Sequence, residues 1–184
     1  MNIINIARRL SHRPQGGFTL VETMITLTIA SILLTAAVPP MQDFITRNRM
    51  STEVNTFIAS LYLARSEAVK RMQDVRVCPT TTYTSCTGGT DWQVGWMVFA
   101  DIDQSGDFTP GDVVLQQNQA LPSRFQIVGN AGRPTAVFQP DGQASGTNNT
   151  FEFCDDDEVA NTRQVILSNE GRVRVNQLTT SGCT

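Results

Sequence analysis

A few groups of residues in this 184-residue chain have types and spacings that could do chemistry. The run DIDQSGDFTPGD, Asp101 to Asp112, alternates oxygen-bearing side chains at Asp101, Asp103, Ser105 and Asp107, with Gly106 sixth and Asp112 twelfth. That order approximates a calcium loop, where oxygens converge and glycine permits a sharp turn. Asp112 reaches less far than the usual glutamate, however, and the flanks read as strands. The plainer reading is a hairpin loop whose carboxylates accept hydrogen bonds from nearby amides, and no metal is expected. Towards the C-terminus, Gly171-Arg172-Val173-Arg174 sets two arginines two residues apart. In a strand both would project to one face, about 7 Å apart at a rise of about 3.4 Å per residue. That is near the phosphate spacing along a DNA strand, so two guanidiniums could grip one backbone without reading bases. The alternative is a solvated edge strand whose arginine stems cover apolar surface. The acids from Asp155 to Glu158 are consecutive, point in divergent directions and read as a solvated loop.

Catalysis has no visible carrier. The one histidine, His12, lies near the N-terminus, and neither a Ser/His/Asp nor a Cys/His set can be formed. No glycine loop of the phosphate-cradling kind is present. The chain therefore reads as non-enzymatic, without a cofactor. The four cysteines, Cys78, Cys86, Cys154 and Cys183, include no C-x-x-C pair, which argues against zinc. An even count beyond an export segment favours disulfides in an oxidising compartment. Four cysteines allow three pairings, and sequence alone does not choose. We favour Cys78–Cys86, closing a short Thr-rich loop, and Cys154–Cys183, anchoring the tail. The formal charge of −3 is unevenly placed: without the first 17 residues, 14 − 3 = 11 basic residues face 17 acidic ones. A nucleic-acid role therefore rests on a local basic patch.

The elements that position these residues begin with an apolar run. Phe18 to Val38 spans 21 residues, long enough to cross a bilayer as a helix. Its Thr and Ser hydroxyls can bond their own helix backbone. Glu22 inside it normally means a partner. Arg8, Arg9 and Arg13 precede it, and Pro39-Pro40 should kink or loosen the helix at its end. From Met41 to Met72 the apolar residues recur at spacings of three and four, predicting an amphipathic helix packed on a sheet. After Asp74 the pattern changes to short β-like runs at 75–78, 92–99, 112–117, 124–128, 135–138, 151–154, 163–168 and 172–175, separated by turn clusters. The fold class is α+β, a long N-terminal helix on an antiparallel sheet or sandwich head. The segments are 1–17, 18–39, 40–73 and 74–184.

The motif G-F-T-L-x-E from Gly17 resembles the processing site of type IV prepilins and type II secretion pseudopilins. The plain alternative is a signal anchor with a stray glutamate. Further on, W-Q-V-G-W-x-V-F-x-D, F-x-P-D-G and R-Q-V-I-L-S-x-x-G-R-V-R resemble the GspH/FimT branch of that family, so the resemblance covers nearly the whole chain. It implies that a prepilin peptidase cuts between Gly17 and Phe18 and methylates the new N-terminus. It also implies that Glu22 offers its charge to the terminal amine of a neighbouring subunit, where a cation makes the carboxylate tolerable. The expected partners are a major pilin and other minor pilins, with the head periplasmic on an inner-membrane anchor until the subunit enters a filament at the cell surface. In DNA-uptake minor pilins of this branch a C-terminal G-R-x-R element is the DNA contact, and related minor pilins without an uptake role carry similar tails. Gly171, Arg172 and Arg174 match it, with Arg163 as a helper if its strand pairs nearby. The expected function is thus a minor pilin serving natural transformation. The alternatives are a priming minor pilin without a DNA role and a GspH-type pseudopilin of type II secretion. Mass spectrometry of the mature protein should find a methylated Phe18 at the N-terminus; any other terminus contradicts the processing assignment.

Overall fold

The computed structural model describes residues 17–155 and 162–178, the side chains of 36–40 and 42–43 excepted. The chain divides into two compact units, Met1–Asp43 and Phe44–Thr184. Helix α1, Leu20–Arg71, contributes to both.

In the first unit, hydroxyls do satisfy the helix backbone. Thr23, Thr26, Thr28, Ser31 and Thr35 each donate to a carbonyl three or four residues back. Helical backbone continues through Pro39-Pro40, where the sequence predicts a kink or loosening. Proline's own φ is helical, so the pair removes two donors without ending the helix. Among the described residues no helix is long and apolar enough to cross a membrane. The span read from the sequence runs into residues 36–40, whose side chains are outside the description.

In the second unit, Met50, Val54, Phe57, Leu61, Ala64 and Ala68 are all buried. Their alternating spacing of four and three keeps them on one stripe. The opposite side carries charge, with Glu67 accepting from Arg71 at 2.6 Å and from Lys70 at 3.1 Å.

Two four-stranded antiparallel sheets receive this stripe. The first has the order β3-β2-β1-β5, with β1 Val75–Pro79, β2 Trp96–Ala100, β3 Val113–Asn118 and β5 Ala136–Phe138. The second has the order β4-β6-β7-β8, with β4 Phe125–Val128, β6 Asn149–Asp155, β7 Arg163–Leu167 and β8 Val173–Gln177. Strand alternation sorts their side chains by face. Val75, Val77, Trp96, Val98, Ala136 and Phe138 of the first sheet enter the main core, as do Phe125, Ile127, Phe151, Phe153, Val165 and Leu167 of the second.

Phe57 is the meeting point. Its ring lies edge-on to Trp96 of β2, to Phe151 and Phe153 of β6, and to Trp92, at centroid distances of 4.7 to 5.6 Å. Strand β2 is buried on both faces. Its outer residues Met97 and Phe99 join Cys78 in a smaller cluster covered by Tyr83, Cys86 and Phe108. The run at 92–99, read as one strand, is a turn followed by a strand. Gly95 has φ +108°, and its N–H donates to the Trp92 carbonyl. A Cβ there would sit 2.8 Å from the Asn118 carbonyl oxygen, so only glycine fits. Phe57→Ala should destabilise the head by about 3–5 kcal/mol. Denaturant unfolding checks it, and a loss under about 1 kcal/mol would contradict the central placement of this ring.

Candidate functional site

Around the processing motif, Thr19 caps α1: its hydroxyl accepts the Glu22 N–H at 3.2 Å. Thr19-x-x-Glu22 is half of a capping box, a signal readable in the sequence that the motif reading passed over. Glu22 stands in the first turn, where the helix dipole favours a carboxylate. Phe18, Glu22 and the apolar residues near them are exposed. Residues 1–16, including His12 and most of the segment read as a leader, lie outside the described residues, whereas Gly17 and Phe18, which flank the expected cut, lie within them.

The acidic loop is closed by its own carboxylates. Asp101 is buried and takes Arg76 Nε at 2.6 Å, the Gly106 N–H at 3.1 Å and the Ser105 N–H at 3.1 Å. Asp103 accepts from Ser105 N–H and the Thr109 hydroxyl. Asp112 accepts from Ile102 N–H and Thr109 N–H. Carboxylate oxygens of Asp101, Asp103 and Asp112 lie within 4.8 Å of one another, which makes them the group among the described residues able to converge on a cation. Every one of those six oxygens already accepts a protein donor, so here they act as turn-forming acceptors.

Asp155 corrects the solvated-loop reading. It ends β6, its side chain is buried, and it accepts from Arg124 Nη2 at Oδ1 (2.9 Å) and Oδ2 (3.1 Å) and from Nε at Oδ1 (3.2 Å). Burial of this carboxylate requires such a partner, and the partner comes from a distant part of the chain. Residues 156–161, including the rest of that acidic run, lie outside the described residues. Cys78 and Cys86 are joined in a disulfide. Cys154 is also disulfide-bonded; Cys183, the partner favoured for it, is outside the described residues.

The arginine pair lies on the β7–β8 hairpin. Gly171 and Arg172 belong to the turn, and Arg174 to the edge strand β8. Both arginines are exposed. Arg172 Nη2 stands 3.6 Å from a Glu170 carboxylate oxygen. Glu170 is held below the usual carboxylate range, first by the Ser168 hydroxyl, then by its own backbone amide, with Arg172 adding to it. Arg163, which sequence reasoning offered as a helper, faces the other way. Ile166 pairs with Arg174, whereas Arg163 shares the face of the buried Val165 and Leu167. Its Nε is buried without a hydrogen-bond partner among the described residues.

A long helix feeding a two-sheet antiparallel head, behind a processing motif, defines the class of type IV pilin-like subunits. The fold resembles crystal structures of the type IV minor pilin FimU of Pseudomonas aeruginosa strain PAO1. One crystal form gives a TM-score of 0.57 at 18% identity over 72% of this chain and 92% of that one. Another gives 0.53 at 19% identity over 70% and 91%. A family model described as type II transport protein GspH matches residues 53–171, and one for the prokaryotic N-terminal methylation motif matches residues 12–38. The chain belongs to the GspH family. It is also 46% identical over 41 residues to the fimbrial protein EcpC of Eikenella corrodens, 22% of this chain and 27% of that protein. The match thus spans about a quarter of that curated relative.

Asp103 gives the loop a pH signature. Ser105, through its hydroxyl and then its backbone amide, and Thr109 hold its carboxyl below the ordinary range. A depressed carboxylate contributes stability above its unfolded value of about 3.9 and loses it as pH falls through the lower folded value. Asp103→Asn should therefore lower the Tm at neutral pH, with the gap from the parent closing as pH falls below about 4. A gap constant down to strong acid would contradict this.

Proposed function

We propose that the protein is a minor pilin of a type IV pilus, binding extracellular double-stranded DNA without sequence preference through Gly171, Arg172 and Arg174 for uptake in natural transformation. The observation that carries the subunit role is the apolar surface behind the processing motif. Phe18 is 82% exposed and Leu20 76%, with Val21, Met24, Leu27 and Leu33 each above 60%. Such a surface needs lipid or like helices around it. The inner membrane supplies the first before assembly, and the major pilin and other minor pilins supply the second within the filament. Prepilin peptidase acts between these stages. Glu22, one turn from the new amine at Phe18, meets the amine of a neighbouring subunit. The names of the relatives, a minor pilin and a fimbrial protein, support the same placement.

The DNA role is supported by two exposed guanidiniums on the rim of the second sheet. Each phosphate neutralised contributes a slope of about −0.9 in log K against log salt. Two contacts lose about tenfold in affinity between 50 and 200 mM salt. Binding is weak, and several subunits acting on one DNA molecule raise it.

Exchange of Arg172 and Arg174 for glutamine should abolish DNA retention and transformation while pili still assemble. The Glu170–Arg172 pair and the GspH family description favour a second reading: a priming subunit without a DNA role, or a pseudopilin of type II secretion. Transformation that persists in the double variant, or pili that disappear, would establish that reading in place of the DNA one.

A further inference from the structure

Arg65 lies on α1, far from the arginine pair in sequence, and is half-buried. Its Nη2 donates to the Glu170 carbonyl at 3.4 Å, at the tip of the β7–β8 hairpin. Two left-handed glycines crowd the same side chain. Gly171 has φ +70° and Gly142, in the turn after β5, has φ +78°. A Cβ on Gly142 would stand 3.3 Å from Arg65 Nε and 3.2 Å from Val69 Cγ2. A Cβ on Gly171 would stand 3.3 Å from Arg65 Nε and would overlap the Gly142 carbonyl oxygen. The two turns are also bonded to each other. The Ala144 N–H donates to the Asn169 carbonyl at 2.8 Å, and the Gly146 N–H to the Asn169 side-chain oxygen at 3.3 Å. Within the hairpin tip, the Ser168 N–H donates to the Arg172 carbonyl and the Arg172 N–H to the Ser168 hydroxyl.

We propose that Arg65 is a positioning residue of the DNA grip, holding the hairpin tip through the Glu170 carbonyl in a socket closed by Gly142 and Gly171. The inference rests on the DNA reading above. Within the grip, Gly171 then acts through its packing. It has no side chain because the Gly142 carbonyl and the Arg65 guanidinium occupy the space. Arg65 in turn sets the direction in which Arg172 and Arg174 leave the sheet. Its geometry explains why a helix residue outside the arginine pair matters: the planar guanidinium can lie flat between two backbone turns while one nitrogen donates. The Glu170 carboxylate, on the residue whose carbonyl Arg65 holds, stands 3.6 Å from Arg172 Nη2.

A positioning residue and a phosphate contact differ in the salt dependence of binding. Loss of a contact lowers the slope by about 0.9, whereas loss of positioning weakens binding at every salt concentration with the slope unchanged. The full mature chain in detergent micelles is titrated onto a fluorescent 30-base-pair duplex between 50 and 200 mM salt. Arg65→Gln is expected to weaken binding about three- to tenfold with the parental slope. Arg65→Lys keeps the charge and stem but loses the planar fork, and a loss of about two- to threefold with the parental slope is expected. Gly171→Ala is expected to behave as Arg65→Gln. If Arg65→Gln does not fold, Arg65→Lys decides. Parental affinity in the folded Arg65 variants overturns the proposal, and so does a slope lowered by about 0.9 in Arg65→Gln, which would make Arg65 a direct contact. Parental binding by the Arg172→Gln/Arg174→Gln double variant instead overturns the DNA reading, and this inference with it.

Discussion

The head depends on one ring. Phe57 leaves α1 between two sheets that share no strand, and its edge contacts reach Trp96 in one and Phe151 and Phe153 in the other. Edge-on aromatic packing of this kind adds about 0.5–1.5 kcal/mol per pair beyond the area buried. Around it the stripe from Met50 to Ala68 supplies a continuous apolar surface for both sheets. The segment that carries Trp92 adds a second tie: the Trp92 N–H donates to the Ile127 carbonyl, and the Gly129 N–H to the Thr90 carbonyl. Trp96 Nε1 donates to the buried Ser60 hydroxyl, fixing the helix register against β2.

Helix α1 carries features of both units. Its N-terminal stretch carries the exposed apolar surface, and its C-terminal half carries the stripe and Arg65. A hairpin at the far rim of the second sheet is thereby tied to the helix at two levels: through the core by Val165 and Leu167, and at its tip by Arg65. The outer face of the first sheet is closed separately. The Cys78–Cys86 loop and the acidic loop lay Tyr83 and Phe108 over Met97 and Phe99, and Asp101 of the acidic loop pairs with Arg76 of β1.

Most of the fold was legible in the sequence because periodicity reports burial. The spacing of three and four after Met41 appears as the buried stripe, and the eight β-like runs correspond to eight strands. The failures share a physical cause: each depends on a partner distant in the chain, or on a backbone angle. Asp155 looked like part of a solvated acidic run because Arg124, which neutralises it, is not nearby in sequence. Trp92 to Gly95 alternated like a strand until the positive φ of Gly95 made it a turn. Arg163 was counted with the other arginines because only strand register shows which face it takes. The Arg65 socket was invisible, since three elements build it. The cap at Thr19 could have been read from T-x-x-E alone.

Native-state hydrogen exchange tests the central claim most directly, because it reads the opening free energy of each sheet separately. If Phe57 and its stripe form one core for both sheets, the slowest amides of β1 and β2 and those of β6 and β7 will exchange through the same global opening, with the same denaturant dependence. If β6 and β7 open at a distinctly lower free energy while β1 and β2 stay protected, the two sheets are separate cores, and the account of a single helix-centred head is wrong.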